Sequence, residues 1–235
     1  MCKSVNFFFR NNFIVFVGCT TEIDIVFIMD GSGSIRRNNW DKLLDFVAKI
    51  IMELPRTGPQ VGAIVFSRNA RVAFQLDRTN NLDSARNAIL NIPYPRGATE
   101  TAEALELAKT DLFVAANGDR PGVPNVAIVI TDGKSDDNDE TLEAAEALHD
   151  DGVHVFSVGI GNNLDEEELR KISSPPQEVD RNYFISPDFE ALGGFINDLL
   201  LSVCESVEEP TTTMTTTTTT TTPASPIDVD TTEGK

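Results

Sequence analysis

Asp30-Gly31-Ser32-Gly33-Ser34, coming directly after the apolar run Ile25-Val26-Phe27-Ile28-Met29, constrains this chain more than any other stretch. The run has the length and composition of a strand buried on both faces, as in parallel sheets covered by helices. In an open α/β sheet the loops at the carboxyl ends of the strands build the binding crevice. Such a strand delivers one carboxylate and two hydroxyls to that crevice, with glycines between them. Hard oxygen donors without His or Cys suit Mg²⁺ or a similar hard cation. The glycines let the backbone turn tightly and keep bulk away from an ion.

Two further segments carry matching donors. Asn125 to Thr131 reads as a second buried strand, and Asp132-Gly133 ends it in the same way. Arg96-Gly97-Ala98-Thr99-Glu100-Thr101 precedes a helical pattern and offers Thr99. A bland reading makes Ser32 and Ser34 helix caps and Asp132 a turn residue. It does not explain why three separate segments present oxygen donors.

D-x-S-x-S after the first strand, a later G-x-T-x-T and a later I-T-D-G together resemble the von Willebrand factor type A domain over about residues 22–204. The resemblance implies a metal-ion-dependent adhesion site whose ligands are Asp30, Ser32, Ser34, Thr99 and Asp132. It implies Mg²⁺, or Mn²⁺ or Ca²⁺, as the ion. The two serines and either Thr99 or Asp132 would touch it directly, the other groups acting through water. One coordination position would stay open for an acidic side chain of a protein ligand, such as collagen or another matrix protein. Two carboxylates and three neutral oxygens leave a divalent ion able to attract that carboxylate in a partly dry site.

The rest of the chain alternates. Helical spacing of apolar residues marks Trp40 to Leu54, Asp83 to Ile92, Ala102 to Ala115, Thr141 to His149, Asp165 to Ile172 and Asp188 to Val203. Strand patterns cover Val61 to Phe66, Arg71 to Leu76, Val153 to Ile160 and Arg181 to Ile185. The short link Ser67-Arg68-Asn69-Ala70 makes an antiparallel hairpin of the first two. These predict an α/β fold: a doubly wound, mostly parallel six-stranded sheet, Rossmann-like, with one antiparallel edge strand and helices on both faces. Gly193-Gly194 in the final helix costs about 1 kcal/mol per glycine relative to alanine and reads as an allowance for close packing. The acidic run Asp136-Asp137-Asn138-Asp139-Glu140 lacks regular ligand spacing and reads as a helix N-terminus.

The net charge of −18 over 235 residues argues against nucleic acid or an anionic membrane as partner. It does not oppose a carboxylate ligand, because a bound cation reverses the local sign.

Cys19 precedes the first strand and Cys204 lies just after the last helical pattern. The chain ends lie close together in the fold that the resemblance implies, and secreted relatives carry such a terminal pair. A Cys19–Cys204 disulfide would then stabilise by up to about 4–5 kcal/mol on chain-entropy grounds. The alternative is buried free thiols in a cytosolic protein. Residues 1–18 read as a candidate signal peptide, with Lys3 and Arg10 before a short apolar stretch, Phe13 to Gly18. Two other readings stand beside it: a start that lacks the true leader, and a lipoprotein-type cleavage before Cys19 that would orphan Cys204. Thr211 to Thr222 is threonine broken only by Met214, with prolines after it. Residues 205–235 thus read as a Thr-rich, O-glycosylated, mucin-like linker or tail that cannot form a core. The domain is expected over 19–204, the chain as a piece of a longer secreted matrix protein, and no transmembrane segment.

Catalysis finds little support. His149 and His154 are the only histidines and lie apart from the oxygen donors, and no nucleophile elbow, phosphate loop or H-E-x-x-H is present. The expectation is a metal-dependent extracellular adhesion module and not an enzyme. The alternative is an intracellular scaffold or ATPase-accessory type A domain, against which the cysteine pair and the threonine tract argue.

Overall fold

The computed structural model describes residues 22–79 and 81–208. Its strands are β1 (Ile23–Asp30), β2 (Pro59–Phe66), β3 (Ala70–Phe74), β4 (Asn125–Thr131), β5 (His154–Ile160) and β6 (Tyr183–Ser186). Its α-helices are α1 (Arg36–Glu53), α2 (Leu82–Leu90), α3 (Thr101–Leu107), α4 (Asn138–Asp150), α5 (Glu166–Ile172) and α6 (Ile196–Glu208).

The strands form one sheet in the order β3-β2-β1-β4-β5-β6. All neighbours run parallel except β2 and β3, whose hairpin places β3 antiparallel at one edge. This is the architecture the alternating pattern predicts. β1 is central, and every one of its residues is buried. Its side chains divide between two cores. Ile25, Phe27 and Met29 pack under α1, α2 and α6, while Val26 and Ile28 pack under α3 and α4. A strand covered on both faces needs apolar residues at every position, which is why its sequence does not alternate.

The parallel strands bring the carboxyl ends of β1, β2 and β4 to one edge of the sheet. The loops after Asp30, Phe66 and Thr131 are therefore neighbours, and the rest of the fold holds them there.

Several boundaries differ from the sequence reading. α1 begins at Arg36 rather than Trp40, because its first turn is exposed and polar and carries no apolar signal. β3 ends at Phe74, and Leu76 is buried at the start of a 3₁₀ turn over Leu76–Arg78. α3 gives way to wider π-type turns over Ala108–Leu112, closed by a bond from Phe113 N to the Ala108 carbonyl (2.9 Å). α6 starts at Ile196, preceded by a 3₁₀ segment over Ala191–Phe195, and continues past Cys204 to Glu208.

The close-packing reading of Gly193 and Gly194 is overturned. Both are exposed in the 3₁₀ segment, and a Cβ on either would meet no neighbouring atom within 4 Å. The candidate signal peptide, Cys2, Cys19 and the threonine tract lie outside the described residues. Among the described residues no helix is long and apolar enough to cross a membrane.

Candidate metal centre

Asp30 is the last residue of β1 and is fully buried. Its Oδ1 accepts the backbone N–H of Ser32 (2.7 Å), which folds the next loop back over the carboxylate. Its Oδ2 accepts the hydroxyl of Thr131 at the end of β4 (2.7 Å). Ser34 Oγ donates to Asp132 Oδ1 at 2.6 Å. A hydroxyl has one proton, so Ser32 Oγ is the donor in its 2.8 Å contact with Ser34 Oγ. Ser32, Ser34 and Asp132 thus form one directed chain of oxygens above the buried Asp30.

This disposes of the bland alternative for the serines. α1 is preceded by Ile35 and has no side-chain cap, so neither serine is spent on the helix.

Thr99 lies on the neighbouring 92–100 loop, half-buried. Its hydroxyl makes no hydrogen bond with the other four groups among the described residues. Its backbone is clamped instead: Thr99 N donates to Asp136 Oδ2 (3.0 Å), and Asp136 N donates to the Thr99 carbonyl (3.1 Å). The loop also docks on the serine loop, through Arg96 N to the Gly31 carbonyl (3.0 Å) and Gly33 N to the Gly97 carbonyl (2.9 Å).

The glycines act by close approach. A Cβ on Gly31 would stand 2.4 Å from Pro95 Cγ, and one on Gly97 2.8 Å from Arg68 N. Gly33 would meet only the Gly97 carbonyl, at an ordinary 3.5 Å. Gly31 therefore makes room for Pro95 rather than for an ion, and neither Gly31 nor Gly33 has left-handed backbone.

Burial is the main influence on both carboxylates. It pushes the Asp30 carboxyl up to about 6, against the opposing bonds from Ser32 and Thr131, and the charge of Asp132 adds a smaller push. Loss of water likewise raises Asp132, with the Ser34 bond opposing. Two carboxylates disfavoured as anions are a setting that a cation relieves.

The donor set fits a hard divalent ion. Adjacent oxygens on an octahedral Mg²⁺ lie about 3 Å apart. The Ser32–Ser34 and Ser34–Asp132 spacings, 2.8 and 2.6 Å, are already close to that. Ser34 is exposed and Asp132 half-buried, so solvent reaches one side of the group. Among the described residues no three His, Cys, Asp or Glu side chains cluster as metal ligands. An ion here would rely on hydroxyls with two carboxylates, a set that excludes soft metals by chemistry.

Sequence reasoning missed four supporting residues. Thr131 lies inside the I-T-D-G motif, but its bond to Asp30 was not foreseen. Tyr94 donates to the Ser32 carbonyl (2.7 Å), accepts from Arg36 N (3.1 Å) and lies against buried Trp40, with ring centroids 5.7 Å apart. No local signal marks it. Asp136 belongs to the acidic run read as a helix start. Asp137 does cap α4 there, through Glu140 N (3.1 Å), but Asp136 faces Thr99 instead. Buried Glu168 of α5 accepts Ser135 N (3.0 Å), Ser135 Oγ (2.9 Å) and Asn138 Nδ2 (2.6 Å), pinning the loop after Asp132. The histidines are elsewhere: His149 meets the Ile172 carbonyl, and His154 opens β5 at the opposite end of the sheet.

The von Willebrand factor type A domain family model matches residues 24–198. Chicken (Gallus gallus) matrilin-1 is 36% identical over 194 residues, 82% of this chain and 38% of the relative. The collagen alpha-1(XII) chain of Notophthalmus viridescens is 34% identical over 202 residues, 82% of this chain and 21% of the relative. The chain therefore spans well under half the length of these curated relatives. Among solved structures, proximal thread matrix protein 1 from the mussel byssus, with a zinc-occupied MIDAS motif, superposes with a TM-score of 0.71 at 25% identity. That match covers 80% of this chain and 47% of the other.

Proposed function

The chain belongs to the von Willebrand factor type A family, and from that premise we propose that it is an extracellular, metal-dependent adhesion module. It binds an acidic side chain of a matrix protein. The observation that carries this reading is the oxygen chain Ser32–Ser34–Asp132 over buried Asp30.

Asp30, Ser32, Ser34, Thr99 and Asp132 would hold Mg²⁺, or Mn²⁺ or Ca²⁺. A bound ion would supply positive charge, to which a partner's carboxylate could make a charge-assisted bond. Asp30 would contribute charge from beneath, its orientation fixed by its bonds to Ser32 N and Thr131 Oγ1. Ser32 and Ser34 present neutral oxygens, which keep the site from neutralising the ion fully. Asp136 positions the Thr99 backbone from outside the donor set.

Secretion is supported by the kind of relatives found, matrilins and collagens, which are matrix proteins. A Cys19–Cys204 disulfide would close the domain, and O-glycans on the threonine tract would stiffen and extend it as a stalk. Mass analysis of the natural protein tests both: free thiols and bare threonines would favour the intracellular scaffold.

Pull-down of a matrix extract by the full chain, with Mg²⁺ and with EDTA, beside Asp132→Ala, tests the adhesion reading. Capture that needs both the metal and Asp132 supports it; capture indifferent to both contradicts it.

A further inference from the structure

Four cations stand around the oxygen donors: Arg36 at the start of α1, and Arg68, Arg96 and Lys134 on the loops. All four are exposed. In a chain of net charge −18, none of the four makes an ion pair among the described residues, while neighbours such as Arg37 and Lys42 pair with Asp41 and Glu190.

Backbone atoms of three of them lie on or against the Tyr94–Gly97 stretch. Arg96 N donates to the Gly31 carbonyl (3.0 Å) and Arg36 N to Tyr94 Oη (3.1 Å). Gly97, next to Arg96, packs so tightly on Arg68 that a Cβ would stand 2.8 Å from Arg68 N. Sheet order places these three arginines on the β1–β2 side of the donors. The β4 side carries Lys134 beside the acidic run, in which Asp136 is engaged by Thr99 and Asp137 caps α4. On the basic side Glu103 is engaged by Ala70 N, and Glu100 is half-buried.

The backbone adds a second, independent observation. Arg36 and Arg96 have φ of 62° and 55°, two of the four non-glycine residues in the left-handed region among the described residues. Glycine occupies that region without the steric cost an arginine bears. Both arginines therefore carry a backbone strain that glycine would not. Strain of this kind gathers where a ligand is gripped.

We propose that the ligand of this face is a polyacidic protein segment: one carboxylate goes to the metal, and carboxylates beside it lie over Arg36, Arg68 and Arg96. This rests on the adhesion reading and adds the partner's chemistry to it. The basic flank also sets orientation, because the start of α4 repels the same segment on the other side.

The test compares two synthetic peptides on the full chain by calorimetry: acetyl-Gly-Glu-Glu-Glu-Gly-amide and acetyl-Gly-Gly-Glu-Gly-Gly-amide. Each is run in Mg²⁺ and in EDTA, with heparin as a third probe. In Mg²⁺ the triacidic peptide binds at least tenfold tighter, and the margin shrinks with added salt. The double variant Arg36→Gly/Arg96→Gly melts at or above the wild-type temperature, which certifies its fold, and loses the margin. Equal binding of the two peptides, or a margin that survives in the double variant, overturns the proposal while leaving the adhesion reading intact. Binding unaffected by EDTA and by Asp132→Ala overturns the adhesion reading and this inference with it. Heparin bound in preference to the triacidic peptide, through the same arginines, overturns the choice of a protein segment in favour of a sulfated polysaccharide.

Discussion

Ser34 Oγ and Asp132 Oδ1 meet at 2.6 Å across 98 positions of the chain. One residue comes after β1 and the other after β4, and only the parallel pairing of these strands brings them together. The contact joins the two halves of the donor set. Ser34→Ala removes both the link and a candidate metal ligand, while Ser34 itself is exposed and outside the core. Metal affinity should fall at least about tenfold, by analogy with groups that support metal ligands, with little change in melting temperature. Calorimetric metal titration beside a melting curve checks this.

Asp136 touches none of the donor oxygens in the structure but holds Thr99 by two bonds. Asp136→Ala should weaken metal binding about 10–100-fold, as loss of an outer support does. Asp137→Ala is the control: it removes a cap of α4, costing about 1 kcal/mol of stability, and should leave metal affinity much closer to wild type.

Protons would compete with a bound cation for Asp30. Its carboxyl, pushed up to about 6, must be ionised to meet a cation. Metal affinity should be fully developed above about pH 7 and decline by up to about tenfold per pH unit below 6. Folding without metal runs the other way. The folded value lies above the ordinary 3.8, so this group's contribution to stability is complete below 3.8 and is lost as pH rises through about 6. Metal titrations and metal-free urea melts across that range measure the two slopes, and a flat metal affinity would refute the assignment.

Gly31→Ala forces a Cβ to within 2.4 Å of Pro95 Cγ and 2.7 Å of its Cδ. A proline ring cannot swing aside, so the loop must shift. A loss of about 1–3 kcal/mol in urea unfolding is expected, together with weaker metal binding. Gly33→Ala, with ordinary contacts only, should cost much less.

The opposite end of β1 carries a fully buried carboxylate. Asp24 accepts from Arg120 N (2.9 Å), Nε (2.9 Å) and Nη2 (2.7 Å). Arg120→Ala strands that charge and should cost about 3–5 kcal/mol in urea unfolding.

The sheet and the placement of four of the five candidate donors were legible because each is a local signal. An unbroken apolar run marks a strand covered on both faces, and Asp30, Ser32, Ser34 and Asp132 sit directly after two such runs. The groups that hold those residues were not legible. Tyr94, Asp136 and Glu168 act over tertiary distances, and nothing beside them in the chain announces their partners. Helix starts failed where the first turn is polar, as at Arg36. Gly193 and Gly194 misled because composition cannot say whether a glycine faces a neighbour or solvent. Arg36 and Arg96 went unremarked because left-handed backbone at arginine has no sequence signature.

Mn²⁺ water-proton relaxation of the full chain, beside Asp132→Ala, tests the metal-bridged grip most directly. The wild-type chain should bind one Mn²⁺ with enhanced relaxivity, and a glutamate-containing peptide should lower that enhancement as its carboxylate replaces bound water. Asp132→Ala should show neither effect. Relaxivity that no acidic peptide changes, or Mn²⁺ binding that survives intact in Asp132→Ala, would contradict a carboxylate held through this site.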